Sequence, residues 1–242
     1  MPPVRTINLD DAALLDSVSH KTELAIALLK KIAADYSPAA LANSLGVEDM
    51  VLTDLICAEK IGIDNFTLDT GRLPPETYDL IAEAKERYGL ALTVYYPRHE
   101  LLEAYVRTNG INAFYESVEL RKGCCQVRKV EPLQRALAGK KAWITGMRAQ
   151  QSATRQGLPV QAFDEGNGLE KFNPLADWTE KEVWAYVKLN DVPYNALHDK
   201  HYPSIGCAPC TRAITVGEVI RAGRWGWEQP DSKECGLHVK KT

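Results

Sequence analysis

Apolar residues early in the chain recur at nearly helical spacing. The series comprises Leu24, Ile26, Leu28, Leu29 and Ile32. Such spacing predicts the apolar face of an amphipathic helix, and Pro38 marks a point beyond which the helix does not continue. Residues 1–36 are therefore predicted to form an N-terminal helical segment.

Beyond this segment, short apolar runs alternate with stretches of helical pattern. Runs rich in β-branched and aromatic residues predict strands at 65–69, 90–96 and 142–145. A helix is predicted over 75–88, where the leading proline suits the first turn. Another helix begins near Thr179, which forms a capping-box pattern with Glu182. Strands that alternate with helices form crossover units, so the pattern predicts an α/β fold with a mostly parallel sheet.

Length and composition predict one domain. The chain has 242 residues, of which 45% are hydrophobic and 25% charged, enough for a substantial core. Its last part becomes rich in loops, and residues 226–242 are predicted to be a mobile C-terminal tail. We therefore expect a single domain over 1–242 that ends in this tail.

Charge and hydropathy exclude several classes of protein. The formal net charge of −3 argues against a general nucleic-acid binder. No run approaches the roughly 18 apolar residues of a membrane span, and the acidic start is unlike a secretory signal. We expect a soluble, cytoplasmic protein that binds neither nucleic acid nor membrane. In a reducing compartment, clustered cysteines more often bind metal or catalyse than form disulfides.

Four of the six cysteines form two close pairs. Cys124 and Cys125 are adjacent in a polar stretch, and Cys207 and Cys210 form a CxxC motif. Two pairs of thiolates are what a tetrahedral zinc ion or an iron–sulfur cluster requires. Buried thiols acting as small apolar groups are the alternative, which the polar surroundings of the tandem pair disfavour. Spacing alone does not decide between zinc and iron–sulfur.

The two remaining cysteines differ from this set and from each other. Cys57 lies on an apolar helical face and is predicted to belong to the core. Cys235 lies on the predicted tail between Lys233 and His238, cationic neighbours of the kind that favour a thiolate. An accidental surface thiol is the alternative, but these neighbours favour a nucleophile.

Two small-residue turns and a group of basic residues predict an anion site. Residues 44–49 join an apolar run to a helix, and residues 68–72 end a predicted strand; backbone N–H groups can hold anions at such places, although ordinary loops look similar. The basic residues are Lys129, Arg148, Arg155, Arg221 and Arg224. Arg221 and Arg224 would share a face if they were helical. Each alone is typical of a solvated surface charge, but five near the cysteine motifs favour an anion site.

Eight motifs carry a resemblance to a known family. In chain order they are SLGVEDM, LDTGR, KGCCQVRK, ITGMRAQQSATR, NPLADWTEKEVW, YPSIGCAPCTR, GRWGWE and KECGLH. By these motifs the chain resembles, over essentially its whole length, the assimilatory adenylyl-sulfate (adenosine 5′-phosphosulfate) reductases, relatives of the phosphoadenylyl-sulfate reductases. The resemblance implies a doubly wound, mostly parallel sheet of the adenine-nucleotide α-hydrolase (ATP-pyrophosphatase-like) type, with the ligand at the strand carboxyl ends.

The resemblance also implies roles for individual residues. It makes Cys235 the nucleophile and assigns a 4Fe-4S cluster to the four paired cysteines, Cys124, Cys125, Cys207 and Cys210. Together with the basic residues above, the candidate substrate-binding set is Ser44, Gly46, Asp69, Thr70, Gly71, Arg72, Lys129, Arg148, Arg155, Arg221, Arg224 and His238.

The implied reaction is thioredoxin-dependent reduction of adenosine 5′-phosphosulfate to sulfite and AMP. The Cys235 thiolate would attack the sulfate sulfur, and thioredoxin or a similar thiol donor would release sulfite from the resulting S-sulfonate. The cluster need not carry electrons in this scheme, and its field beside the substrate is its expected contribution. Sulfate assimilation and cysteine biosynthesis would be the cellular role, and a homo-oligomer is compatible with the sequence.

Three other functions stay open at this point. A 3′-phosphoadenylyl-sulfate or dual-specificity reductase would share the motifs. A metal-binding, nucleotide-activating enzyme of the tRNA-thiolating type would share the fold, but it would carry a Ser-Gly-Gly-x-Asp-Ser loop where this chain has Ser-Leu-Gly-Val-Glu-Asp. A non-catalytic zinc-binding interaction protein would leave Cys235 and the clustered arginines without a role.

Overall fold

The computed structural model describes residues 7–90, 92–151, 157–215 and 217–229. In chain order the main elements are α1 (Ala12–Asp35), β1 (Ala39–Ala42), α2 (Val47–Ala58), β2 (Asp64–Leu68), α3 (Pro75–Tyr88), β3 (Thr93–Tyr95), α4 (His99–Asn109), α5 (Val118–Cys125), α6 (Glu131–Leu137), β4 (Ala142–Ile144), β5 (Gln161–Asp164), β6 (Leu169–Phe172) and α7 (Glu180–Leu189). A π-helical turn, Gln126–Val130, joins α5 to α6. None of the helices in these ranges combines the length and apolar character that crossing a membrane requires.

The six strands form one sheet in the order β3-β2-β1-β4-β6-β5. All neighbours are parallel except β5, which runs antiparallel to β6. From β1 the chain winds outward through β2 to β3 and then returns to β4 on the other side of β1. The expected doubly wound, mostly parallel sheet is confirmed, with its switch point between β1 and β4. Ligands bind such sheets at the carboxyl ends of the strands beside this point.

Helices cover both faces of the sheet. Leu41 of β1 packs in a core with residues of α1, α2 and α7, including Leu29, Leu52 and Val183. The preceding residue, Ala40, packs in a second core on the opposite face, together with Trp143 and residues of α6. This alternation is expected because successive side chains of a strand point to opposite faces.

The predicted elements compare closely with the observed ones, with some differences. The first helix is present, with Leu29 and Ile32 buried but Leu24 exposed. Strand β3 is shorter than the predicted run of 90–96. The hairpin of β5 and β6 was not predicted, because β5 is an edge strand whose residues are only partly covered and lack an apolar run; Phe163 is 60% exposed.

The prediction that Cys57 belongs to the core is wrong. Cys57 lies in the last turn of α2 and is only partly buried, next to the exposed Ala58. Burial, and then the negative charge of Asp54, raises the pKa of its thiol above the ordinary value. The apolar stripe of α2 is buried up to Ile56, and the two residues that end the helix, Cys57 and Ala58, are more exposed.

A buried carboxylate connects three of the covering helices. Asp54 of α2 accepts hydrogen bonds from two tyrosine hydroxyl groups. One belongs to Tyr88, the last residue of α3, at 3.0 Å, and the other to Tyr186 of α7, at 2.7 Å. Burial first, and then the carboxylate, raises the pKa of both tyrosines, so both donate as neutral phenols. Each oxygen of the Asp54 carboxylate therefore receives a hydrogen bond from one of these two hydroxyl groups.

We predict that Tyr186→Phe lowers the free energy of unfolding by about 1–3 kcal/mol, because a buried carboxylate oxygen loses its donor. Urea denaturation measures the change. The matched control is Tyr194→Phe, whose hydroxyl donates to the exposed Asp199 at 3.1 Å and should cost much less. Equal losses for the two variants would contradict the assignment.

Candidate functional site

A cleft opens at the carboxyl ends of β1 and β4, where the topology places it. Seven of the predicted substrate-binding residues line it: Ser44, Gly46, Thr70, Lys129, Arg148, Arg221 and Arg224. Arg221 and Arg224 lie in a turn closed by the Arg224 N–H donating to the Arg221 carbonyl at 3.0 Å, and not in a helix. Both still face the cleft, because a turn also brings residues three apart onto one side.

The two loops at the switch point are joined by a buried carboxylate. Asp49, in the first turn of α2, accepts hydrogen bonds from the N–H (2.8 Å) and hydroxyl (2.5 Å) of Ser44 after β1 and from the N–H of Gly146 (2.8 Å) after β4. Burial raises the pKa of Asp49 to about 6, against these hydrogen bonds. A Cβ at Gly146 would lie 2.5 Å from the same carboxylate, so only glycine allows this approach.

Arg148 lines the cleft, but a carboxylate already neutralises it. Its Nε and one terminal nitrogen lie 2.9 and 2.8 Å from Oε1 of Glu48, and the other terminal nitrogen donates to the Trp178 carbonyl at 3.3 Å. The side chain is 4% exposed. Arg148 therefore stabilises the floor of the cleft, and Glu48 neutralises its positive charge.

The turn that follows β2 contributes residues to the cleft and to a second cavity. Asp69 accepts the N–H of Gly71 at 2.7 Å and the hydroxyl of Tyr78 at 3.0 Å, which closes the turn, and Gly71 has a φ of 69°. Thr70 lines the cleft, and its Oγ1 lies 3.2 Å from Sγ of Cys207. Arg72 points away from the cleft and lines a second cavity. The turn thus separates the cleft from that second cavity.

The second cavity is lined by the four paired cysteines. Cys124 and Cys125 end α5, whereas Cys207 precedes a 3-10 turn, Ala208–Cys210, that carries Cys210. The same wall holds five cationic side chains: Arg72, Arg121, Arg128, Lys129 and Arg224. The fold therefore brings the two sequence pairs into one space and surrounds them with positive charge.

Burial raises the pKa of two of these four thiols, those of Cys124 and Cys210. It raises the pKa of Cys210 to about 11; Cys207 raises it further, and the charges of Lys129 and Arg224 oppose the rise. Burial also raises the pKa of Cys124, with Arg128 as the strongest opposing group. Thiolates in this cavity therefore need positive charge, from the protein or from a bound metal.

The thiols share a cavity and do not converge on one point. Within the described ranges, no three Cys, His, Asp or Glu side chains form a group tight enough for a single metal ion. Zinc needs its sulfur ligands about 2.3 Å from one centre. A cubane cluster binds its thiolates through different irons, so it needs sulfur atoms spread around a volume.

The cleft and the cysteine cavity share one wall. Lys129, Arg224 and Trp225 line both. Arg224 is buried; one terminal nitrogen donates to the Ile205 carbonyl at 3.1 Å, while its Nε has no partner among the described residues. A Cβ at Gly206 would overlap the guanidinium, so glycine makes room for it. Cationic groups therefore stand between the cleft and the thiols.

The start of the predicted tail is packed against this wall. Of residues 226–242 the structure describes 226–229, in which Trp227 packs on Tyr115 with ring centroids 4.5 Å apart. Glu228 forms a bidentate ion pair with Arg121, with two N–O distances of 2.8 Å. Three predicted site residues, Arg155, Cys235 and His238, lie outside the described residues.

Two residues of the cysteine cavity were missed by the sequence predictions. Arg121 lies four residues before Cys125, and Arg128 lies four residues after Cys124, where its Nη1 donates to the Thr70 carbonyl at 2.6 Å. Helical spacing around the tandem cysteines was the available signal, because residues four apart share a helix face.

Comparisons with known proteins agree with this arrangement. The family model of the phosphoadenosine phosphosulfate reductase domain matches residues 38–213. An adenosine 5′-phosphosulfate reductase of Allochromatium vinosum is 55% identical over 226 residues, which cover 93% of this chain and 88% of the relative. One from Burkholderia cepacia is 52% identical over 227 residues, covering 94% and 91%.

Solved structures share the fold. A phosphoadenylyl-sulfate reductase from Candida auris, in a phosphate complex, is 30% identical with a TM-score of 0.68, and the match covers 81% of this chain and 97% of that one. An FMN adenylyltransferase of Candida glabrata, in complex with FAD and inorganic pyrophosphate, is 15% identical with a TM-score of 0.60, covering 86% and 69%; it shows the fold alone. With its family domain, its cleft and its two cysteine pairs, the chain belongs to the adenosine 5′-phosphosulfate reductases of the phosphoadenosine phosphosulfate reductase family.

Proposed function

We propose that this chain reduces adenosine 5′-phosphosulfate to sulfite and AMP, with Cys235 as the nucleophile. The observation that carries the proposal is the shared wall, in which Lys129, Arg224 and Trp225 face both the cleft and the four-cysteine cavity. Relatives about half identical in sequence bear the name of this activity. The names of these relatives support the unphosphorylated substrate for this chain. The 3′-phosphorylated substrate appears in the name of a more distant neighbour, which is 30% identical.

The substrate would lie across the switch point with its phosphosulfate directed at the shared wall. The adenosine would occupy the part of the cleft near Ser44 and Gly46. Lys129, Arg221 and Arg224 would hold the anion through charge-assisted hydrogen bonds. The buried Nε of Arg224 supports this pose, because a desolvated donor without a partner among the described residues gains most from an anionic ligand.

The first half-reaction would transfer the sulfo group. The Cys235 thiolate forms a bond to the sulfate sulfur as the bond from that sulfur to the bridging phosphate oxygen breaks, and AMP leaves with the electron pair. Arg221, Arg224 and Lys129 stabilise the charge that develops on the phosphate oxygens. His238 is a further proposed contact to the phosphosulfate.

The second half-reaction would release sulfite. A thiolate of a dithiol protein such as thioredoxin attacks Sγ of Cys235, a disulfide forms, and sulfite leaves with the electron pair of the old sulfur–sulfur bond. The donor's second thiol then resolves the mixed disulfide and frees Cys235. Two electrons pass from the dithiol to the sulfur. Sulfate assimilation, and through it cysteine biosynthesis, is the cellular role that fits this chemistry.

The four paired cysteines would hold a 4Fe-4S cluster. The fit rests on four sulfur atoms around one cavity and on the five cations in its wall, which offset the negative charge of a four-thiolate site. Cys124 and Cys125 of α5 and Cys207 and Cys210 of the CxxC turn would hold it, and a bound cluster would add its charge to the field beside the substrate. Thr70 and Arg128 then orient the cysteines from the side of the β2 turn.

We predict that protein purified without oxygen contains about four irons per chain and that Cys210→Ser loses most of them. The control is Cys57→Ser, which lies at the end of α2 outside the cavity and should keep its iron. Iron and zinc analysis together with the visible spectrum measure this. Stoichiometric zinc without iron in the unaltered protein would contradict the cluster.

We predict that Cys235→Ser abolishes sulfite release but still binds AMP and keeps its iron, because a hydroxyl is a far poorer nucleophile than a thiolate at neutral pH. Sulfite release is assayed with thioredoxin on both the unphosphorylated and the 3′-phosphorylated substrate. Mass spectrometry of unaltered protein given substrate but no thiol should show one sulfonate on the Cys235 peptide. An adduct on another cysteine, or turnover by Cys235→Ser, would remove Cys235 from the mechanism.

A further inference from the structure

Three guanidinium groups surround one buried indole at the shared wall. Those of Arg121 and Arg224 lie 4.6 and 4.7 Å from the centroid of the Trp225 ring, and that of Arg221 lies at 6.0 Å. The ring is 1% exposed. Cations over an aromatic ring are attracted to it, but several in one place also repel each other at low dielectric. Such an arrangement needs negative charge to hold it.

The protein supplies that charge to Arg121. This side chain is fully buried and makes a bidentate ion pair with Glu228, whose side chain is 3% exposed. Arg224 has no such carboxylate partner among the described residues; its recorded hydrogen bond is to the Ile205 carbonyl. Within this pair of arginines, one is therefore neutralised internally and the other keeps its charge for a ligand.

The same ion pair restrains the backbone that carries Arg224. Trp225 has a φ of 43°, a left-handed conformation that costs a side-chain-bearing residue energy. Its N–H donates to the Cys210 carbonyl at 3.1 Å, and its own carbonyl accepts the N–H of Glu228 at 2.9 Å. With Glu228 fixed on Arg121, the strained turn is held at both its ends.

We propose that Glu228 is a positioning residue for the substrate anion. It acts through Arg121 and Trp225 to hold Arg224 at the boundary of the cleft, and it does not touch the ligand itself. The inference rests on the proposed function, in which Arg224 binds the phosphosulfate. Loss of the Glu228 carboxylate should loosen the turn and displace the guanidinium group of Arg224 from the boundary of the cleft. Anion binding should therefore weaken before the overall fold is affected.

A double-mutant cycle on the iron-loaded full chain tests this. The variants are Glu228→Gln, Arg224→Ala and the two combined, and the measurement is the Kd of AMP by anaerobic calorimetry, with KM and kcat for sulfite release alongside. We expect Glu228→Gln to raise the Kd about tenfold, which is within the range for residues coupled through shared partners. The double variant should bind AMP no more weakly than Arg224→Ala alone, because the effect of Glu228 passes through Arg224.

The matched control is Glu218→Gln. Glu218 also forms a bidentate pair with an arginine of the C-terminal segment, Arg212, at 2.6 and 3.0 Å, but this pair is partly exposed. The Kd of the Glu218→Gln variant for AMP should stay within twofold of the Kd of the unaltered protein, because surface ion pairs contribute little. Iron content and thermal unfolding of every variant separate positioning from general loss of structure.

Each outcome decides one point. If Arg224→Ala leaves the Kd unchanged, the proposed anion site is wrong. If Arg224→Ala weakens binding but Glu228→Gln does not, or if the two losses add in the double variant, the positioning role is wrong and the proposed function stands. Should Glu228→Gln fail to fold, Arg121→Lys takes its place in the cycle, because lysine keeps the charge but loses the bidentate fork.

Discussion

The contact of the Trp225 ring with the guanidinium groups of Arg121 and Arg224 is the one on which the site depends. The side chain of Trp225 lines both the cleft and the cysteine cavity, and its backbone N–H donates to Cys210. Because one residue contacts the arginines and is hydrogen-bonded to the CxxC turn, it fixes the cations of the cleft relative to that turn. A change in the position of the cleft relative to the cysteine cavity would require this buried ring to move.

Around that contact, each buried charge is handled in its own way. Arg121 and Arg148 are paired with Glu228 and Glu48, so their desolvation is offset within the protein. Arg224 is buried and its Nε has no partner among the described residues, an arrangement that is costly without a ligand and favourable with an anion. This contrast separates the arginines that are neutralised within the described part of the protein from Arg224, the one proposed to bind the anion.

The topology of the sheet explains where this chemistry lies. Parallel strands end on one edge, and at the switch point the loops after β1 and β4 diverge and leave a cleft. Asp49 holds the two loops together through Ser44 and Gly146 at the floor of that cleft. A single buried side chain thus holds together the two loops between which the cleft lies.

Local pattern determined what depends on near neighbours: the first helix, the strands β2 and β4, and the motifs that identify the family. Sequence spacing also selected the paired cysteines and Arg224, because clustered thiols and cations are rare enough to be informative. It could not show that Arg148 is neutralised by Glu48, 100 residues away, or that Arg121 meets Glu228, 107 residues away. Those pairings are decided only when the sheet closes, since burial and charge compensation are properties of the folded chain.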